Sequence, residues 1–247
     1  MAILYLLQAL VGWLVGVAIN HAADILPRRQ TLQQWPGCPA CGQPRPIRAW
    51  SALLALATGQ QACSHCGQPR QRLARSLVVE LATPLIFVFL MWHQGLSLQL
   101  ALFSIYTTIL ILLTVTDLEH RLIFNAVILP SILFGLGAAF FTPNLSWLSA
   151  LLGGITAFIL SYLAALFARG GLGGGDVTLS TFLGVIIGFP YILLSLTFGV
   201  FLGGFVAFLL LITRRVGLKT FIPYGPFLTT TGWIMLIWGS EIWAHYF

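Results

Sequence analysis

Long apolar runs, separated by short polar interruptions, dominate the chain. A helix that crosses a membrane needs about 20 apolar residues to traverse roughly 30 Å of hydrocarbon. Runs of that kind occupy residues 3–26, 76–92, 98–116, 122–141 and 145–168. A further run, residues 177–212, is 36 residues long, too long for one crossing. Pro190, just after Gly188, predicts a turn that divides it into two spans. A final run ends near Trp243. The pattern predicts an all-α polytopic membrane protein with about eight transmembrane helices. A polar stretch, residues 27–75, separates the first two spans, and no internal repeat of fixed period is evident. The expected organisation is a first transmembrane helix (1–26), a four-Cys loop (27–75) and a transmembrane core (76–247).

Composition agrees. Charged residues are 7% of the 247 residues and apolar ones 58%, with a mean hydropathy of +0.94. Soluble domains carry about 25% charged residues. So few charges cannot cover a globule with a wetted surface, so lipid must solvate most of the outside. The first 26 residues lack the basic start and small-residue cleavage site of a signal peptide.

Twelve Lys and Arg outnumber six Asp and Glu. Their placement matters more than their sum. With eight spans and the Cys loop inside, the inner segments hold Arg28, Arg29, Arg45, Arg48, Arg70, Arg72, Arg75, Arg121, Arg169, Arg214, Arg215 and Lys219. That is every basic side chain in the chain. The expected topology is N-out and C-out in the plasma (inner) membrane, with the Cys loop cytoplasmic. No nucleic-acid module stands out, so the expected partner surface is membrane lipid rather than nucleic acid.

Acids near a span are costly unless they face water or a partner. Two segments concentrate them: Thr116-Asp117-Leu118-Glu119-His120-Arg121, and Gly173-Gly174-Gly175-Asp176. Both fall at the same predicted face. Two carboxylates brought together can hydrolyse a peptide, one acting as general base on a shared water while the other, protonated, polarises the carbonyl. The proton then belongs to the pair. Gly173, Gly174 and Gly175 would let a substrate backbone approach closely. The competing reading is helix capping, since each Asp lies just before an apolar run and Asp is a favoured N-cap.

The motifs carry a resemblance. Asp117-Leu118-Glu119-His120-Arg121-Leu122-Ile123 resembles the first aspartate motif of the type IV prepilin peptidases. Gly171-Leu172-Gly173-Gly174-Gly175-Asp176-Val177 resembles their Gly-x-Gly-Asp motif, and Ile222-Pro223-Tyr224-Gly225-Pro226-Phe227 their Pro-Phe-Gly-Pro-Phe segment. The Cys loop and Val79-Glu80-Leu81 fall in the expected order. Thr178 stands where the family usually has Lys, Tyr224 where it has Phe, and Ile25 where it has Arg. The resemblance implies Asp117 and Asp176 as the catalytic dyad. Its implied substrates are prepilins or pseudopilins, cleaved after a basic leader ending in Gly. In many members it also implies methylation of the new N-terminus with S-adenosylmethionine.

Cys38-x-x-Cys41 and Cys63-x-x-Cys66 are separated by 21 residues. Four thiolates so spaced predict a structural zinc site, because stable disulfides are rare in the reducing cytoplasm. Metal binding would supply folding free energy to a loop too short and polar for a core. Asn20, His21 and Asp24 cluster at the inner end of the first span. They read as helix-end polar groups or as a cavity lining, and Glu80 as a partner of Arg75 or part of a methyl-transfer site. Two non-enzymes remain as alternatives: a cation transporter, which would place acids in mid-span, and a secretion-assembly protein anchored by the Cys loop. A peptidase without methyltransferase activity is a third.

Overall fold

The computed structural model describes residues 2–28, 37–38, 40–70, 72–167, 173–214, 217 and 222–246. Arg29, Arg169, Arg215 and Lys219, used above for orientation, and Gly171 and Leu172 of the second motif lie outside the described residues. Regular structure among the described residues is helical, with two isolated β-bridges. The helices are α1 (Ala2–Ile25), α2 (Ala52–Ala57), α3 (Leu73–Gln94), α4 (Leu98–His120), α5 (Asn125–Ala138), α6 (Trp147–Phe167), α7 (Gly174–Ile187), α8 (Tyr191–Ile212) and α9 (Gly225–Tyr246). Apart from the short α2, each coincides with one of the eight apolar runs. Five of them (α1, α3, α4, α6 and α8) are long and apolar enough to cross a membrane, and α5 and α7 are shorter apolar helices. The chain is a multi-pass membrane protein. The long run divides where Pro190 predicts, with α7 ending at Ile187 and α8 starting at Tyr191.

The chain folds as two units, Met1–Leu112 and Leu113–Phe247, with the division inside α4. In the first, α1 packs along α3. Helices in lipid associate through close packing rather than a hydrophobic drive, so small residues collect at their contacts. Gly12, Gly16, Asn20 and Ala23 form the buried stripe of α1. A Cβ built at Gly12 would lie 2.7 Å from the Pro84 Cα, so only glycine admits α3 at this distance. The residues between α1 and α3 are not uniformly polar as expected. Their middle, residues 49–61, carries no ionisable side chain and includes the wholly apolar α2.

In the second unit α7 is the most enclosed element. Val177, Leu179, Ser180 and Phe182 through Ile187 are all buried. Fourteen residues rise only about 21 Å, so α7 meets its neighbours over nearly its whole length. A Cβ at Gly153 of α6 would lie 2.3 Å from the Gly184 carbonyl, which brings the two backbones together. Gly135 of α5 meets Val185, and Gly232 of α9 meets Leu183. Three helices thus fix the one that begins with the second aspartate motif.

Candidate active site and metal centre

Both motif aspartates lie within helices rather than in the loops expected. α4 runs on through His120, so Asp117 sits in its final turns and is not the N-cap of α5, which begins at Asn125. Asp117 is buried, at 5% exposure. A carboxylate near a helix C-terminus meets the negative end of the macrodipole. Here an N-terminus from elsewhere compensates. The backbone N–H of Gly225, first residue of α9, donates to Asp117 Oδ2 at 3.0 Å. The Arg121 guanidinium adds a favourable charge. Glycine is required at 225, since a Cβ there would lie 2.6 Å from the same oxygen. The third motif, given no role by the sequence beyond its resemblance to the Pro-Phe-Gly-Pro-Phe segment, therefore holds the first aspartate.

Asp176 stands in the first turn of α7 and is half-buried. Its Oδ2 accepts the Gly173 N–H at 3.1 Å, while its own N–H donates to the Gly173 carbonyl at 3.0 Å. The capping reading is thus correct for Asp176 in part, because the carboxylate closes the start of its own helix. It is also near enough to Asp117 for the two charges to interact, and Tyr224 feels the Asp176 charge as well. Carboxylates from α4 and α7 and the segment leading into α9 are therefore neighbours within the second unit.

The three glycines divide by role. Gly175 packs on the chain itself, where a Cβ would lie 2.7 Å from Ile123 Cβ. Gly174 faces open space, with nothing within 4 Å of a Cβ built there. None of the three has positive φ, so left-handed backbone is not why glycine occupies them. Thr178, at the position of the family Lys, donates to Asn125 Oδ1 at 3.1 Å and to the Gly175 carbonyl at 2.9 Å. It ties α7 to the start of α5.

The four Cys come together. Their Sγ atoms lie within 4.8 Å of one another, with Cys38–Cys66 at 3.6 Å and Cys41–Cys63 at 3.7 Å. Tetrahedral zinc with Zn–S bonds of about 2.3 Å requires sulfurs roughly 3.8 Å apart. The cluster therefore has the dimensions of a four-thiolate metal site, and all four thiols are free of disulfides. Backbone N–H groups of Cys41 and Ala40 bring the Cys38 thiol down to about 6, and those of Cys66 and His65 lower that of Cys63. This favours thiolates at Cys38 and Cys63, while desolvation and the neighbouring thiols push Cys66 up to about 12.

The knuckles are also a repeat that the hydropathy pattern conceals. Cys38-x-x-Cys-Gly-Gln-Pro-Arg recurs as Cys63-x-x-Cys-Gly-Gln-Pro-Arg. The backbones match: Gly42 donates to Cys38 and Gly67 to Cys63, at 2.8 and 2.9 Å. Gly42 and Gly67 have φ of 73° and 69°, which glycine adopts without strain. Comparing the two Cys-x-x-Cys segments residue by residue would have revealed it.

Glu80 is the polar group whose surroundings sequence reading missed. It is fully buried. Its carboxylate accepts from Ser51 Oγ at 2.5 Å, from the N–H groups of Ala52 and Leu53 at 2.7 and 3.1 Å, and from Asn20 Nδ2 at 3.2 Å. Arg75 pairs with Asp24 at 2.5 Å.

Residues 104–208 match the Type IV leader peptidase family. The chain is 30% identical over 214 residues to a "Prepilin leader peptidase/N-methyltransferase" of Pseudomonas aeruginosa, covering 85% of this chain and 73% of that protein. A protein of the same name from Pseudomonas putida is 29% identical, over 84% of this chain and 73% of its own length. One from Bacillus subtilis is 27% identical, over 62% and 61%. No solved structure matches the chain.

Proposed function

We propose, for a chain that belongs to the type IV leader peptidase family, that it is a membrane-embedded aspartyl endopeptidase whose dyad is Asp117 and Asp176. Its substrates are prepilins or pseudopilins, whose basic leaders it removes at the cytoplasmic face of the inner membrane. The observation that carries this reading is the approach of two carboxylates from separate helices, each held by a backbone N–H. Those N–H groups fix the carboxylates without supplying a countercharge. One shared proton then lets the pair act as base on a water and acid toward a carbonyl.

A peptide inside a helix keeps its carbonyls bonded within that helix, so the scissile bond must lie before the helix begins or in an opened first turn. Gly174 offers open space beside Asp176 for such a backbone. The acids occupy helix ends rather than mid-span positions, which favours the peptidase over a cation transporter.

The four-thiolate cluster would hold one zinc as a structural ion, and its chemistry there is to cross-link the two knuckles. In this reading the Cys-bearing segment is a cytoplasmic module, and N- and C-termini face outward. N-methylation of the new terminus with S-adenosylmethionine rests on the relatives' names alone, and the peptidase chemistry does not need it. Incubating the purified protein with a synthetic prepilin, with and without S-adenosylmethionine, tests both activities by mass spectrometry. The expected product lacks the leader in both arms and gains one methyl group only with the cofactor. An intact prepilin in both arms contradicts the proposal.

A further inference from the structure

Glu80 also constrains where part of the Cys-bearing segment can lie. It is seven residues inside the start of α3, about 10 Å along a helix of 1.5 Å rise per residue. That puts it within a membrane-crossing element, with Asn20 of α1 beside it. A buried carboxylate at such a position must have its acceptor sites filled. Two of the donors that fill them are the first two N–H groups of α2, and a third is Ser51, the α2 N-cap. These bonds are short, so α2 starts at the depth of Glu80. It cannot stand out in water with the knuckles.

The surface of α2 fits that depth. Ala52 and Ala55 face inward and are fully buried. Leu54 and Leu56, at 39% and 46% exposure, are left uncovered on two different sides of α2. Residues 49–61 carry no ionisable side chain, the exposed Arg48 precedes them, and the next arginine, Arg70, is half-buried and donates to the Ala49 and Trp50 carbonyls. An apolar helix that follows an exposed arginine matches the boundary of an anionic leaflet. Leucines meet acyl chains there, and guanidinium groups meet lipid phosphates.

We infer that α2 is an interfacial helix. It seats the four-Cys segment in the membrane surface through Leu54 and Leu56, with Glu80 as the latch that sets its depth. The inference is independent of the peptidase chemistry, requiring only that α1 and α3 cross the membrane. The depth set by Glu80, inside a helix long and apolar enough to cross a membrane, favours lipid over a protein partner.

The test uses the full chain reconstituted in vesicles of phosphatidylethanolamine and phosphatidylglycerol. A benzophenone amino acid is placed singly at Leu54, Leu56, Leu85 or the exposed Ser64 of the second knuckle. After irradiation, lipid adducts are read by mass spectrometry. Leu54 and Leu56 are expected to capture lipid at a level within about threefold of Leu85, and Ser64 at background. Lipid capture at Leu85 but not at Leu54 or Leu56 would overturn the inference. So would adducts from either position to protein, whether a second copy or another chain. Two positions are used so that a fold defect in one leaves the other to decide, and Leu85 fixes the scale in the same vesicles.

Discussion

Gly225 and Asp117, 108 residues apart in sequence, are joined by a 3.0 Å hydrogen bond from the Gly225 N–H to the Asp117 carboxylate. The bond spends the free N-terminus of α9 on an acid at the C-terminal end of α4. A methyl group at 225 would meet the same oxygen at 2.6 Å. Gly225→Ala should therefore displace the carboxylate while leaving the helices inserted. Displacing a catalytic group by about 1 Å can cost around a hundredfold in rate, and a loss of that order in prepilin cleavage is expected. Wild-type cleavage by Gly225→Ala would show that the contact does not position Asp117.

The glycines before Asp176 give a paired test. Gly175→Val should damage the protein itself, because its Cβ would press on Ile123. Lower yield of folded protein in detergent is the expected readout. Gly174→Val meets nothing within the chain, so its folded yield should be normal and its loss, about tenfold or more in cleavage, should come from blocked substrate approach. Normal cleavage by Gly174→Val would reduce that glycine to part of a helix start.

For the cysteine cluster, elemental analysis should find one zinc per chain. Cys38→Ser removes one of four ligands and should lower zinc retention and open residues 37–70 to protease, since metal binding is folding free energy for such modules. The dyad belongs to the other unit, so residual prepilin cleavage should remain. Protein that carries no metal and resists protease equally with or without chelator would contradict a structural zinc.

Glu80→Gln keeps the shape but replaces one acceptor oxygen with an NH2 group facing donors. Each carboxylate oxygen accepts two of the four donors bonded to Glu80, so two donors then face the NH2 group, at a cost of about 1–3 kcal/mol for each left without an acceptor. A lowered midpoint of thermal unfolding, with near-normal cleavage rate in the folded fraction, is the expected result. An unchanged midpoint would mean that the latch contributes little.

Hydropathy alone located the spanning helices and the break at Pro190, because an apolar run of about twenty residues has the length of the hydrocarbon layer and exceeds what a soluble core helix needs. It failed where local composition misleads. The run 49–61 is too short to register as a span, so α2 passed as part of a polar loop. The motif around Asp117 is polar enough to suggest a loop, yet α4 continues through it because Gly225 and Arg121 offset the buried charge. The two aspartates were legible as two motifs. The hydrogen bond from Gly225 was not, since nothing local in 222–227 specifies a partner 108 residues away.

The most direct test of the central claim is cleavage of a synthetic prepilin by Asp117→Asn and Asp176→Asn, each purified and reconstituted beside the wild type. Asn keeps the shape and accepts the same backbone N–H but can neither take up nor give a proton. Each variant should insert normally and lose roughly a thousandfold or more in cleavage, the range expected for removing a general acid or base. Cleavage within about threefold of wild type by either variant would contradict the dyad.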